Sequence, residues 1–264
     1  IPAQTDAFRL GDLRFGNVDV ARLASTLKAR RGKSELMDAV TPVHLDPDIH
    51  AELVPRSVGW RRGLGQSGAA QSHLANQGVE EGDLFLFYGW FREIEDREDG
   101  HAYRRGAADR HVLFGWLQIG SIWDINKQRD ALLAKHPGVR QHPHLARLPK
   151  YEEKASNVLY VAADKLRVPG LPSLDLPGAG VFGRLASQRV LTAPGMSRRY
   201  WRLPGWFYNQ GRPQLSYHLD PALWTDEGET ALVRSAAIGQ EFVLQSEDGD
   251  AMAQWLKGIF GMTP

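Results

Sequence analysis

Apolar residues along this chain come in short bursts between polar stretches. Leu84 to Phe91 (LFLFYGWF) is continuously apolar after a Gly82-Asp83 turn. It is too short for a typical helix and rich in aromatics, so it predicts a strand buried on both faces. Val112 to Ile122 (VLFGWLQIGSI) predicts a second such strand. Between them, eleven of the 19 residues from 92 to 110 are charged, which predicts a solvated loop. Asn157 to Ala162 (NVLYVA) predicts a third strand. Val181-Phe182, Val190 to Thr192 and Glu241 to Leu244 predict shorter ones.

Helical periodicity is clearest at the end of the chain. Met252, Trp255, Leu256, Ile259 and Phe260 share one helical face, with Asp250 as the expected N-cap. Val18, Val20, Leu23 and Leu27 form a second face, with Asn17 or Asp19 as cap and the basic run Lys28 to Lys33 at the C-terminal end. Residues 67–76, capped by Ser67, and residues 124–135 complete the expected helices. Residues 41–58 (three prolines), 136–156, 166–178 and 198–217 read as irregular.

These elements predict an α+β fold: one domain over 1–264 with a mixed, barrel-like sheet and flanking helices. The strands are separated by loops, not regular helices, which argues against a doubly wound sheet. Composition adds exclusions. There is no cysteine, which removes disulfides, cysteine-based metal centres and a cysteine nucleophile. Lys+Arg and Asp+Glu number 32 and 31, so no global charge favours a polyanion. No apolar run reaches membrane-spanning length and no leader is visible, which predicts a cytoplasmic protein without membrane contact. Rossmann, P-loop, HExxH, EF-hand and nucleophile-elbow motifs are missing.

Three constellations could carry chemistry. Trp90 and Trp116 lie near the ends of the aromatic strands and could wall a pocket in which a base stacks; buried core is the competing reading. Residues 197–208 (SRRYWRLPGWFY) alternate arginines with rings, including Trp201 and Arg202. Such alternation suits a phosphate backbone plus an unstacked base, or a corner where arginines cover rings. Polar residues beside apolar runs form the third set. Asp46, His218 and Glu241 are the acid–base candidates. Gln71, His144, Asn157 and Gln240 are the substrate-binding candidates. His142 and His144 flank Pro143, and such a pair can share a metal on an extended segment. The spacing supplies no third ligand, so no metal is expected.

The Gly-Asp, apolar strand, charged loop, apolar strand pattern resembles small barrels of the PUA, ASCH and EVE type, which implies a base-binding pocket. A longer series covers about residues 40 to 260. It comprises GAAQSHLANQGVEEGDLFLFYGWFRE (68–93), HVLFGWLQIGSI (111–122), HPH (142–144), NVLYVA (157–162), GAGVF (178–182), LTAPG (191–195), WRLPGWF (201–207), LSYH (215–218) and GQEFVL (239–244). In this order the strings resemble the third nucleotide-modification-associated domain family. The resemblance implies a role in modifying nucleotides in DNA, bacterial or phage origin, and other base-modification enzymes as partners. It brings no catalytic residues and no cofactor. It also implies an earlier start with a Lys-Gly-Phe-Asp-like motif, so the chain is expected to lack an N-terminal segment.

Three functions remain open at this level. The first is a nucleotide- or base-modifying enzyme using the acid–base set. The second is a non-catalytic module that binds nucleic acid or a modified base. The third is a structural protein whose aromatics only fill a core.

Overall fold

The computed structural model describes residues 8–27, 30–31, 35–145, 154–171, 175–236, 241–246 and 248–262. Its centre is a curled, half-barrel sheet built around one long strand, β5 (Arg110–Asp124). β2 (Leu84–Phe91) pairs along one side of its first half. On its other pairings, β6 (Asn157–Ala162) meets residues 119–124 and β7 (Ala179–Val181) meets residues 115–117. β1 (Gly63–Ser67) extends the sheet beyond β6. All these pairings are antiparallel. The register shifts at Leu113/Gly115 against β2 and at Ile119/Ser121 against β6. Such irregularities bend a strand and let an open sheet curl.

The run NVLYVA is apolar throughout because β6 serves two cores. Val158, Tyr160 and Ala162 join Leu64, Leu117, Ile119 and Leu74 of α2 (Gly68–Asn76). Leu159 and Val161 point the other way, toward Leu132 and Leu133 of α3 (Ile125–Lys135) and the turn residues Val139 and Leu145. A strand buried on both faces carries no alternation, which is why it reads as a continuous run. Asn157 shares the second face and is buried among these apolar groups.

A second, three-stranded antiparallel sheet is absent from the sequence-based expectation. β8 (Tyr200–Pro204) and β9 (Trp224–Asp226) flank β10 (Thr230–Arg234). Trp201, Leu203, Trp224 and Val233 pack there against Ile259 of α4 (Gly249–Ile259). Part of 198–217 is therefore regular; alternation of buried Trp201 and Leu203 with exposed Arg202 is strand periodicity inside an aromatic-rich stretch.

Other expectations shift in detail. β2 is half-buried, not buried on both faces, and Trp90 and Phe91 at its end are exposed. The charged excursion forms a hairpin, β3 (Ile94–Arg97) with β4 (Gly100–Tyr103), fastened by pairs such as Arg104–Glu93. Helix α1 spans Val20–Thr26, and the Asp19 carboxylate accepts from the Arg22 amide. Of the basic run that follows, Lys28, Ala29, Gly32 and Lys33 lie outside the described residues. α4 is capped by Asp248, not Asp250, because the Asp248 side chain accepts from the Ala251 amide. The segment 241–244 forms only an isolated bridge, Leu215 to Leu244, and 190–192 likewise forms bridges. Among the described residues, no helix is long and apolar enough to cross a membrane.

Candidate active site

The site is assembled on the face of β1 that carries Gly63 and Gly65. Antiparallel partners share a face, so Gly63, Gly65 and Ser67 lie beside Val161, Leu159 and Asn157. A Cβ on Gly65 would stand 2.3 Å from His144 Cγ and Cδ2, and one on Gly63 would meet the His142 ring at 3.7 Å. The missing side chain of Gly65 makes room for the His144 imidazole laid on the strand, whereas the Gly63 distance is an ordinary contact.

His144 lies in the short 3-10 turn Pro143–Leu145, and His142, itself extended, caps the preceding turn, Pro137–Gln141, so the pair does not share one continuous extended segment. Val139 and Leu145 anchor these turns in the core beneath α3. Across β1, the loop bearing His44 and Asp46 is held by main-chain bonds in both directions between Asp48 and Gly63, at 2.9 and 3.1 Å. Asp48 is locked in turn by Arg56, at 2.7 and 2.9 Å, and by the Trp60 indole at 2.9 Å.

Asp46 is the focus. Its Oδ1 accepts from the Gly65 amide at 2.9 Å. Its Oδ2 faces His144 Nε2 at 3.2 Å and His44 Nε2 at 3.7 Å. His142 Nε2 stands 3.7 Å from Oδ1 and is buried with no hydrogen-bond partner among the described residues. The side chains of Asp46, His142 and His144 are 9%, 3% and 5% exposed, whereas His44 is 35% exposed and forms the open lip. Burial alone would raise the Asp46 carboxyl. The hydrogen bonds of His144 and His44, and the fields of His142 and His144, outweigh it and hold the carboxyl well below the usual range. Asp46 is therefore ionised in a desolvated place. Burial lowers His142, although Asp46 and Asp48 pull it upward.

Asn157 fixes the His144 tautomer. The Asn157 amide nitrogen donates to the His144 carbonyl at 3.1 Å, which leaves its Oδ1 facing His144 Nδ1 at 2.7 Å. A carbonyl can only accept, so Nδ1 carries the hydrogen and Nε2 is the atom offered to Asp46.

The structure thus brings together Asp46, His144 and Asn157 of the predicted residues, with His44 and His142. The others lie elsewhere. Gln71 accepts from the Tyr160 hydroxyl at 2.8 Å, on the opposite face of β6. Trp116 is buried against Phe182 and Phe260, and its indole donates to the Pro177 carbonyl. Trp201 is buried and donates to His111 Nδ1 at 2.9 Å. His218 is fully buried: one ring nitrogen faces the Ser216 carbonyl at 3.0 Å and the other accepts from the Ala236 amide at 2.9 Å. Both its nitrogens serve the main chain. Glu241 sits near Tyr88, whose hydroxyl is pushed up to about 12 by burial and by that charge. Arg202 pairs with Glu227 at 2.9 Å on the surface. Gln240 lies outside the described residues. Trp90 is 62% exposed, with the Arg198 guanidinium 4.0 Å above its ring. It pairs with His111, while Leu159 pairs with Trp123 at the other end of β5. About twelve residues of strand separate those positions, roughly 40 Å along the chain. Trp90 is therefore attached at one end of β5 and the Asp46 cluster beside the other.

Comparison with known families matches this chain to the description nucleotide modification associated domain 3, over residues 1–245 of 264. The chain belongs to that family. The match begins well before residue 40, the lower bound of the resemblance read from the sequence. No curated protein and no solved structure matches this family member.

His44 and the glycine floor are the parts of the site that sequence reasoning misses, while His142 is singled out there only as a possible metal-sharing partner of His144. A signal is present: a His-x-Asp at 44–46, a Gly-x-Gly at 63–65 and a His-x-His at 142–144. Nothing in their spacing says that three distant segments meet.

Proposed function

We propose that this member of the nucleotide modification family is an enzyme acting on a nucleotide or a nucleic-acid base, with its chemistry centred on Asp46. The observation that carries the reading is the ionised, buried carboxylate facing imidazole nitrogens above a floor of glycines. Burying such a charge is costly, and strongly perturbed groups of this kind gather at functional sites. His44, on the exposed lip, is the group that meets substrate. Asp46 and His144 lie behind it as an acid–base pair, and Asn157 sets the tautomer of His144. Trp90 and Arg198, distant from this centre, offer a ring and a cation for docking a longer nucleic acid.

Fluorescence quenching of the tryptophans by single- and double-stranded DNA and by free nucleotides tests the reading. The expected result is saturable binding by one ligand class that Asp46→Asn and His44→Ala leave largely intact while turnover of that ligand is lost. Turnover that survives both substitutions would remove Asp46 from the chemistry. Binding without turnover, abolished by Trp90→Ala, would favour the non-catalytic module instead.

A further inference from the structure

We infer that His44, Asp46 and His144 form a binding site for a divalent first-row transition-metal ion. The inference deepens the proposed function, because it concerns the same centre, but its test does not depend on turnover.

Two observations converge. First, His44 Nε2, a carboxylate oxygen of Asp46 and a ring nitrogen of His144 all lie within 4.8 Å of one another. The two distances to Asp46 Oδ2 are 3.2 and 3.7 Å. Ligands of a tetrahedral ion with bonds near 2.0–2.1 Å are about 3.4 Å apart, so these edges are already near coordination length. Second, the atoms are prepared by their neighbours. Asp46 Oδ1 is taken by the Gly65 amide, which leaves Oδ2 as a one-oxygen ligand. His144 Nδ1 is taken by Asn157 Oδ1, so Nε2 is the atom turned toward a metal. A ligating histidine normally has its other nitrogen fixed in this way.

His142 is not in the ligand set. Its Nδ1 accepts from the His144 amide at 3.3 Å, which places the hydrogen of the neutral ring on Nε2. Its Nε2 stands 3.7 Å from Asp46 Oδ1, too far for a hydrogen bond to the carboxylate.

Two imidazoles and one carboxylate suit zinc, iron(II), manganese or cobalt; magnesium and calcium favour all-oxygen sets. Three protein ligands leave coordination positions open toward the exposed side of His44, the arrangement of a catalytic site rather than a structural one. There the ion would hold and polarise a water or a substrate oxygen.

The test uses the full chain, stripped with chelator and titrated anaerobically with Co(II), Zn(II), Mn(II) and Fe(II). Visible cobalt absorption and equilibrium dialysis are the readouts. One equivalent of ion is expected to bind. His44→Ala should weaken binding at least about a hundredfold, and Asn157→Ala, which touches no metal, roughly 10–100-fold. His44 is exposed enough that its loss spares the fold, which circular dichroism checks. His101→Ala, at an exposed His–Asp pair 2.8 Å apart, should change nothing. Absence of stoichiometric binding, or binding indifferent to His44→Ala, overturns the inference. The proposed enzymatic role would still stand or fall on its own assay.

Discussion

Replacing Gly65 by alanine isolates the physical basis of the site. No positive φ constrains this glycine, so the backbone accepts alanine. In a strand, alanine should then gain roughly 0.5–1 kcal/mol from reduced freedom of the unfolded chain. The new methyl, however, falls 2.3 Å from two ring carbons of His144 and 2.8 Å from its Nδ1. The ring cannot yield freely, because Asn157 holds both its Nδ1 and its carbonyl. Overpacking costs about 1–3 kcal/mol, and a buried hydrogen bond broken as the ring moves costs about 1–3 more. Set against the gain, the net loss is about 1–5 kcal/mol, and a middle value of about 3 kcal/mol corresponds to roughly 6–12 °C in Tm for a chain of this size. Gly63→Ala is the control. Its methyl meets the Leu159 side chain at 3.2 Å and the Tyr160 carbonyl oxygen at 3.3 Å, tight contacts relieved by a shift of a few tenths of an ångström, so its cost should stay at about 1 kcal/mol. Thermal and urea unfolding of both variants give the answer. If Gly65→Ala matches Gly63→Ala, His144 does not rest on this strand and the geometry of the site is wrong.

The two tryptophans expected as pocket walls should separate cleanly. Trp116→Ala should cost about 3–5 kcal/mol of stability, read by urea unfolding, because it empties a buried, well-packed place. Trp90→Ala should change stability by no more than about 0.5 kcal/mol but weaken nucleic-acid binding by about 1–3 kcal/mol, roughly 5- to 150-fold; equal effects of the two on stability would refute the contrast. Tyr88 supplies a pH signature. Its folded-state value of about 12 exceeds the unfolded value near 10, so its contribution is complete below pH 10 and is lost as pH rises toward 12. Tyr88→Phe should therefore flatten the decline of stability between pH 10 and 12, and an unchanged decline would show that other groups cause it.

What is legible in the sequence follows from where the information is local. β5, β6, α2, α3 and α4 declare themselves through apolar runs and periodicity, and a run buried on both faces can be read without knowing its partners. The second sheet stays hidden because Tyr200–Pro204 lies among prolines, arginines and rings that read as irregular. The site divides the same way. Asp46, His144 and Asn157 stand out as polar residues beside apolar segments. Their company is not legible, because His44, Gly65 and His144 meet only through the pairing of β1 with β6 and the docking of two short turns. His218 shows the converse. It lies next to a strained backbone at Tyr217, with φ of 62°, and invites a catalytic reading, yet the main chain occupies both its nitrogens.

The most direct test of the central claim is nucleoside mass spectrometry. DNA and a nucleotide pool are each incubated with the parent protein, with His44→Ala and with Asp46→Asn, after divalent transition metal is supplied. The account predicts a product of altered mass from one of the two substrates with the parent alone. A product formed equally by His44→Ala and Asp46→Asn, or no product with the parent, would contradict it.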